Sequence, residues 1–263
     1  MKKLSKQKWK RVDILVLILC PLIAAVFSLL SKANYLVSTL LFYGLPALYL
    51  SFRTKDAVTK TFLVSLLFAI SGTLFLDYFG VINQAWSITH TVFPSKVFGI
   101  VLWEDFLWAF LLTYAVIIFY EHFLDKGRHN LKISNIKYLI LVFVSTIIIF
   151  VFLFLLEQSW LRIPYFYLTA GTVLLLLPSV IFLNFFPKLL TKFLFTMVYF
   201  FCVSFIFQIT ALTLGQWEYP GNEFIGYIQI FNYSFPLEEV IFWFVLVSVA
   251  ILSYYEFLAD DRK

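Results

Sequence analysis

Two acidic pairs are the features of this sequence best suited to chemistry. Glu104-Asp105 stands in the run LWEDFLWAF at 102–110, and Glu238-Glu239 stands in FPLEEVIFWF at 235–244, 134 positions further on. Each pair opens a long apolar segment. A carboxylate inside an apolar membrane segment is costly unless it is paired or neutralised, so by default it marks a proton path or a reaction site. The two pairs therefore indicate chemistry within the membrane.

Adjacent acids can divide the work of an acid and a base. Neighbouring residues on a helix point about 100° apart, so one acid of a pair can face a cavity while the other reaches an adjoining element. A buried acid beside a second carboxylate favours one protonated and one ionised group, which is the arrangement that general acid and base catalysis uses. A purely structural interpretation, in which the acids only hydrogen-bond helices together, stays open.

Asp77 and several aromatic residues are further candidates for the site. Asp77 lies near the end of the predicted third helix, and at a shift of 131 it corresponds to Gln208. The candidates for substrate binding are Trp86, Trp103, Trp108, Trp217, Pro236, Phe242 and Trp243. Aromatic faces attract cations by about 0.5 to 2 kcal/mol. Any single aromatic residue is most simply a contact with lipid, but together with buried acids they suit a carbocation formed by protonating an alkene.

The composition is that of an integral membrane protein. Of the 263 residues, 62% are hydrophobic and 13% are charged, and the mean hydropathy is +0.92. At about 20 apolar residues per crossing, we predict eight helices near 14–30, 35–52, 61–82, 98–123, 138–156, 166–186, 193–214 and 235–258. The first apolar run is too long for a signal peptide and lacks a small-x-small exit, so we expect a retained helix. The predicted fold is all-α.

The basic residues predict the orientation of these helices. The net charge is +5, but the basic residues cluster in short segments between apolar spans, which indicates membrane orientation and not a nucleic-acid partner. Of the 20 Lys and Arg residues, only Lys32, Lys96 and Arg162 fall on the opposite side from the rest. We therefore predict a multi-pass protein of the cell membrane, with both termini cytoplasmic and both acidic pairs near the outer ends of helices four and eight.

The two halves of the chain resemble each other beyond the acidic pairs. Leu45-Pro46 matches Leu177-Pro178 at a shift of 132, and Tyr120-Glu121 matches Tyr255-Glu256 at a shift of 135. We attribute the drift of the shift to changes in loops. Such self-similarity predicts an internal repeat, here 1–134 with helices one to four and 135–263 with helices five to eight. Two parallel repeats related by a pseudo-twofold axis would bring both acidic pairs to one cavity.

The sequence lacks the motifs of several other kinds of reaction. The sequence has no G-x-G-x-x-G for a dinucleotide, only three scattered histidines, too few for a four-histidine iron site, and no spaced aspartate motif for magnesium diphosphate. Cys20 and Cys202 both lie inside apolar spans, so neither a disulfide framework nor a cysteine metal site is expected. Redox-neutral proton chemistry without a metal or a net redox cofactor remains.

The segment FPLEEVIFWF at 235–244 resembles the Pro-x-Glu-Glu-x-x-Phe-Phe signature of the small membrane carotenoid cyclases, the heterodimeric or fused lycopene cyclase domain. Asp77-Tyr78-Phe79, followed by Trp86, is similar to the Asp and Trp that precede this signature, and LGQWEY at 214–219 is similar to the family's Gly-x-Trp-x-Tyr segment. The resemblance covers helices three to four and seven to eight. The first half departs from the signature, because Leu102 replaces the proline and Trp103-Glu104-Asp105 replaces x-Glu-Glu.

This resemblance implies that two such domains, fused in one chain, cyclise the linear end of lycopene or a related carotenoid as an intramolecular lyase or isomerase. It implies that Glu238 or Glu239 protonates the terminal alkene, with Glu104 and Asp105 as candidates for the base. No redox cofactor is required, although a flavin acting without net turnover stays open. The implied partners are the carotenoid, membrane lipid, and a second copy of the chain or other carotenoid enzymes.

Two other functions stay open. A proton-coupled transporter of a small or lipophilic substrate also fits paired repeats with carboxylates at their interface. Against it, Gly is sparse at nine residues, and helices four and eight have no Gly or Pro in midspan. A noncatalytic assembly partner of a carotenoid enzyme would use the acids only structurally. Genomic proximity to carotenoid genes separates the transporter from the other two functions, and pigment assays separate the enzyme from the assembly partner.

Overall fold

The computed structural model describes residues 2–125, 136–156 and 158–258, so the predicted boundary between the halves at 134/135 lies outside the described residues. Most of the described chain is helical. The eight long helices are α1 (Lys2–Ser31), α2 (Tyr35–Arg53), α3 (Val58–Ile82), α4 (Trp103–Phe123), α5 (Ile136–Leu156), α6 (Phe166–Phe185), α7 (Leu190–Thr213) and α8 (Glu239–Leu258). Short 3₁₀ turns at Lys55–Ala57, Gln158–Leu161 and Pro187–Leu189 adjoin them.

Seven stretches of the described residues are long and apolar enough to cross a membrane. They are Lys10–Ser31, Tyr35–Arg53, Lys55–Ile82, Trp103–Phe123, Phe166–Phe185, Pro187–Thr213 and Glu239–Leu258. The prediction of a mostly helical integral membrane protein is confirmed at this level. The predicted fifth span, α5, is also an apolar helix of 21 residues, and its role as an eighth crossing stays a prediction.

The starts of α4 and α8 differ from the prediction. We predicted helices from 98 and 235, but short antiparallel hairpins precede both helices. The six strands of the two long loops are β1 (Ser87–Ile88), β2 (Lys96–Val97), β3 (Val101–Leu102), β4 (Trp217–Glu218), β5 (Tyr227–Ile230) and β6 (Tyr233–Pro236). β2 pairs with β3, and β5 pairs with β6. The prediction was wrong here because periodicity alone does not separate a short apolar strand from the first turn of a buried helix.

The third strand pair joins the two loops to each other. β1 of the α3–α4 loop pairs with β4 of the α7–α8 loop, with Ser87 opposite Glu218 and Ile88 opposite Trp217. The hydroxyl of Thr89 also donates a hydrogen bond to the backbone carbonyl of Gly215. The two loops are therefore joined to each other shortly after the ends of α3 and α7.

Three of the helices contain π-helical turns. These turns span Leu40–Gly44 in α2, Gly171–Leu176 in α6 and Glu239–Leu246 in α8, whereas α4 is a regular α-helix. Because a π-turn uses i→i+5 hydrogen bonds, it takes in one residue more than an α-turn. The spacing between the halves grows from 134 at the acidic pairs to 135 at Tyr120 and Tyr255. The π-helical part of α8 accounts for this increase of one residue, which we had attributed to a change in a loop.

Two tyrosines join α4 to α8 at the other end of these helices. Tyr120 of α4 donates a hydrogen bond to Glu256 of α8, and Tyr255 of α8 donates one to Glu121 of α4. All four residues are at most 4% exposed, and Lys60 lies 3.4 Å from Glu121. Hydrogen bonds to charged groups contribute about 1.5–3 kcal/mol each, so this crossed pair holds α4 and α8 together.

The first helix is fixed against α2 and α7. Asp13 accepts hydrogen bonds from the hydroxyl of Tyr49 at 2.6 Å and from Arg53 at 3.0 Å. Tyr199 of α7 donates to the backbone carbonyl of Leu17 at 3.2 Å. Because Asp13 and Leu17 are nearly fully buried, α1 covers one side of the bundle along this length.

The crossed tyrosine pair gives a stability prediction. Tyr120→Phe keeps the ring but removes the hydroxyl that donates to Glu256, so we expect the free energy of unfolding to fall by about 1.5–3 kcal/mol. The measurement is thermal unfolding of the protein in lipid nanodiscs. Tyr199→Phe removes a hydrogen bond to a neutral carbonyl and is the matched control, with an expected cost of about 0.5–1.5 kcal/mol. Equal losses in the two variants would contradict the role of the crossed pair.

Candidate functional site

A cavity of about 80 Å³ lies at the ends of the helices that carry the predicted acids. Asp77 of α3, Asp105 of α4 and Glu239 of α8 all line it. The other polar or aromatic groups around it are Tyr35, Tyr43, Trp86, Trp108, Tyr167, Ser204, Phe207, Gln208, Trp217, Tyr219, Trp243 and Phe244. The structure thus brings together three of the five predicted acids and four of the predicted aromatic residues, from both halves of the chain.

Glu104, the first acid of its pair, lies outside the cavity lining and holds the α3–α4 loop. Its Oε1 accepts hydrogen bonds from the hydroxyl of Thr91 at 2.7 Å and from the backbone N–H groups of Val92 at 2.5 Å and Phe93 at 3.2 Å. The residue is only 1% exposed. Glu104 therefore fixes this loop, and its part in a reaction stays a prediction.

Glu238 does the same for the other loop. Its Oε1 accepts a hydrogen bond from the backbone N–H of Ile225 at 2.7 Å, and the residue is fully buried. Because adjacent side chains on a helix point about 100° apart, the second acid of each pair points in a different direction from the first. In both pairs the second acid, Asp105 or Glu239, is the one that lines the cavity.

Glu239 is held by two tyrosines. Tyr167 of α6 donates a hydrogen bond to its Oε2, and Tyr219 of the α7–α8 loop also hydrogen-bonds to it. Gln208 donates in turn to the hydroxyl of Tyr219 at 2.8 Å. Burial raises the pKa of Tyr219 well above its ordinary value, so this hydroxyl keeps its proton and remains a donor.

Asp105 has a corresponding tyrosine neighbour. The side chain of Tyr35 interacts with Asp105, and Tyr35 lies 132 positions before Tyr167. The carboxylate of Asp105 also interacts electrostatically with that of Asp77. Asp77 and Asp105 are therefore close enough for the charge of one to affect the other.

Asp77 is positioned by Trp86 and indirectly by a glycine. The indole Nε1 of Trp86 donates to Oδ1 of Asp77 at 3.1 Å. The ring of Trp86 lies directly on Gly80, where an added Cβ would come within 2.2 Å of it. Asp77 and Gly80 are three residues apart on α3, so they share one helix face. The glycine at 80 is what allows the tryptophan to reach the acid.

Three tryptophan rings lie together beside the acids. The centroids of Trp108 and Trp243 are 5.3 Å apart, and those of Trp86 and Trp243 are 6.3 Å apart. Trp243 lies 135 positions after Trp108, whereas Phe242 lies 134 positions after it. The extra residue of the π-helical turn therefore places Trp243, and not Phe242, in the cavity. Rings of this kind attract a cation, most strongly where water is excluded.

The remaining predicted residues lie elsewhere. Trp103 is 48% exposed, and its indole N–H donates to Ser95 at 3.1 Å. Pro236 belongs to β6. Phe242 packs against Gly171 of α6, where an added Cβ would come within 2.3 Å of its ring. These three residues shape the surroundings of the cavity, and none of them lines it.

A second, larger cavity adjoins the first. Its volume is about 460 Å³, within the range of small-molecule sites. Its lining comes from α3, α4, α6 and α8 and is mostly apolar, and it shares Asp77, Trp108, Leu112 and Trp243 with the first cavity. Asp77 therefore lies where an apolar space between membrane-spanning helices adjoins the smaller cavity, which Asp105 and Glu239 also line.

Sequence reasoning missed the tyrosines that hold the acids. Tyr35 and Tyr167 are related by the same shift of 132 that relates Leu45-Pro46 to Leu177-Pro178, so the internal similarity contained a signal for both. Tyr219 stands in the segment LGQWEY. Its contact with Glu239 depends on the folding of the loop and has no periodic signal.

The described residues contain no cluster of three or more His, Cys, Asp or Glu side chains that could hold a metal ion. Comparison of the chain with protein-family models, curated proteins and solved structures finds no match. The geometry of the two cavities is therefore the basis for the functional argument.

The contact between Gly80 and Trp86 gives a second prediction. Gly80→Ala puts a methyl group into the indole ring, so we expect it to destabilise the protein by about 1–3 kcal/mol. Gly72→Ala, two turns earlier on α3, meets no atom within 4 Å and should be neutral or stabilising by up to about 1 kcal/mol. Thermal unfolding of both variants in nanodiscs tests this. A Gly80→Ala protein as stable as Gly72→Ala would refute the packing.

Proposed function

We propose that this protein is a membrane cyclase of linear carotenoids, which closes a ring at the end of lycopene or a related polyene without net oxidation or reduction. The observation that supports this proposal best is the meeting of three carboxylates and three tryptophans at one small cavity, which adjoins a larger apolar cavity. A long hydrocarbon suits the apolar space, and acids at its end suit proton transfer to an alkene.

The proposed reaction uses the second acid of each pair. Protonated Glu239 donates its proton to the terminal alkene, which leaves a tertiary carbocation. The next double bond attacks this cation, closing a six-membered ring and moving the positive charge to a ring carbon. Ionised Asp105 then removes a proton from a neighbouring carbon to leave the ring alkene. One proton enters and one leaves, so substrate and product are isomers.

The tryptophans stabilise the carbocation, and the burial of the site protects it from water. Trp86, Trp108 and Trp243 present aromatic surface beside the acids, and such contacts stabilise a desolvated cation by about 2 kcal/mol or more. An apolar lining also keeps water from capturing the cation and diverting it to an alcohol. Asp77, fixed by Trp86, adds a carboxylate near the developing charge.

We further propose that the two halves are parallel four-helix repeats related by a pseudo-twofold axis, with both termini in the cytoplasm. Support comes from contacts that recur at the repeat spacing, since Tyr35 adjoins Asp105 as Tyr167 adjoins Glu239. The π-helical turns of α2 and α6 also occur at matching positions. The orientation is supported by the distribution of Lys and Arg.

The adjacent acids allow a sharp test of the reaction. We expect Glu239→Gln and Asp105→Asn to lower the rate of cyclisation by about 100-fold or more, because each removes a proton-transfer group from the cavity. The measurement is pigment analysis, by chromatography and mass spectrometry, of bacteria that accumulate lycopene and express each variant. The unchanged protein should give a product of unaltered mass and shifted absorption.

The matched controls are the neighbouring residues, Glu238→Gln and Glu104→Gln. In each, the amide carbonyl still accepts the loop hydrogen bonds, and Oε2 of both glutamates has no hydrogen-bond partner among the described residues. We expect both controls to cyclise nearly as well as the unchanged protein. Full activity in Glu239→Gln and Asp105→Asn, with all variants folded in the membrane, would remove these acids from the mechanism. Unaltered lycopene with the unchanged protein would favour a transporter or an assembly partner.

A further inference from the structure

The large apolar cavity has a counterpart in the other half of the bundle that is nearly filled. The counterpart has a volume of about 10 Å³, against about 460 Å³ for the open cavity. Five of the nine residues that line the filled cavity correspond to residues that line the open one. At shifts of 131 to 135, the open cavity has Phe68, Gly72, Leu174, Ala250 and Tyr254 where the filled one has Tyr199, Val203, Phe42, Ala115 and Phe119.

Side-chain size explains the difference. Gly72 faces open space, with no atom within 4 Å of an added Cβ, whereas Val203 is buried at 1% exposure. In the filled region the rings of Phe42 and Phe207 lie 5.0 Å apart, and the position that corresponds to Phe207 is Leu76. One side of the bundle is therefore packed solid and the other is left open.

The two sides of the bundle also differ in whether another helix packs over the cavity. Leu17 of α1 lines the filled region, and Tyr199 fastens α1 to α7 there. On the open side, Val173 and Leu174 of α6 line the cavity and are still 51% and 39% exposed. Because α6 is a membrane-spanning helix, these side chains place the mouth of the cavity toward lipid.

We infer that this cavity admits one arm of a linear isoprenoid hydrocarbon sideways from the bilayer and delivers its end group to the acids. The residues that both cavities share, Asp77, Trp108, Leu112 and Trp243, mark the point where the arm meets the polar end. Of these two sides, only the open one offers such a route among the described residues. The identification of the ligand as a polyene rests on the proposed function. The inference adds that the protein holds one end group at a time.

This one-sided route has a consequence for substrates with two identical ends. Once one end has reacted, the molecule has to leave the cavity, turn round in the membrane and re-enter by its other arm. The singly cyclised compound is then a released intermediate and accumulates early in a time course.

Filling the cavity at Gly72 tests the inference. Gly72→Leu projects a side chain into the open space, since no atom lies within 4 Å of an added Cβ. Gly226→Leu is the control, at a glycine of the α7–α8 loop whose added Cβ also has no atom within 4 Å and which does not line the cavity. Lycopene is titrated into nanodiscs that contain each protein, and quenching of tryptophan fluorescence reports binding beside Trp108 and Trp243. We expect the affinity of Gly72→Leu to fall by about tenfold or more, and that of Gly226→Leu to stay unchanged.

The outcomes separate this inference from the proposed function. If the unchanged protein binds lycopene, Gly72→Leu does not and neither forms rings, the cavity assignment stands and the cyclase proposal fails. If the unchanged protein forms rings and folded Gly72→Leu binds and cyclises equally well, the cavity assignment fails and the cyclase proposal stands. Quenching that is absent from the unchanged protein, or equal in all three proteins, would also overturn the assignment.

Discussion

Carboxylates buried between membrane-spanning helices have to be held by hydrogen bonds, and much of this structure depends on that requirement. Lipid supplies no hydrogen-bond partners, so each acid draws them from the protein. Glu239 takes them from Tyr167 and Tyr219, and Asp77 takes one from Trp86. The loops, the glycine at 80 and the strand pair between the loops are arranged so that these partners reach the acids.

The acidic pairs show how one local motif serves two purposes. The first residue of each pair ties a loop back to the start of its helix, and the second faces the cavity, because neighbouring helical side chains point in different directions. Glu104 and Glu238 therefore fix the two loops. Because the α7–α8 loop carries Tyr219, Glu238 also helps to keep Tyr219 beside Glu239.

Part of this arrangement was open to prediction from the sequence. Hydrophobic runs marked the spans, and acids within them marked the site, because both signals are properties of single segments. Which acid of each pair faces the cavity was not predictable, because it depends on the residue at which α4 or α8 begins. The hairpins that precede the two helices fix that residue. Trp243 enters the cavity through a π-helical turn that the apolar pattern does not show. The open cavity at Gly72 depends on packing between distant helices, which only the fold reveals.

The most direct test of the account is cyclisation by the purified protein in nanodiscs made in deuterated water. If a carboxylic acid protonates the alkene, each ring closure places one solvent deuterium in the product, because a buried acid refills its proton from water between turnovers. We predict a product with one deuterium for each ring and no other change in composition. A cyclised product without deuterium, or lycopene left unaltered by the folded protein, would contradict proton-initiated ring closure by these acids.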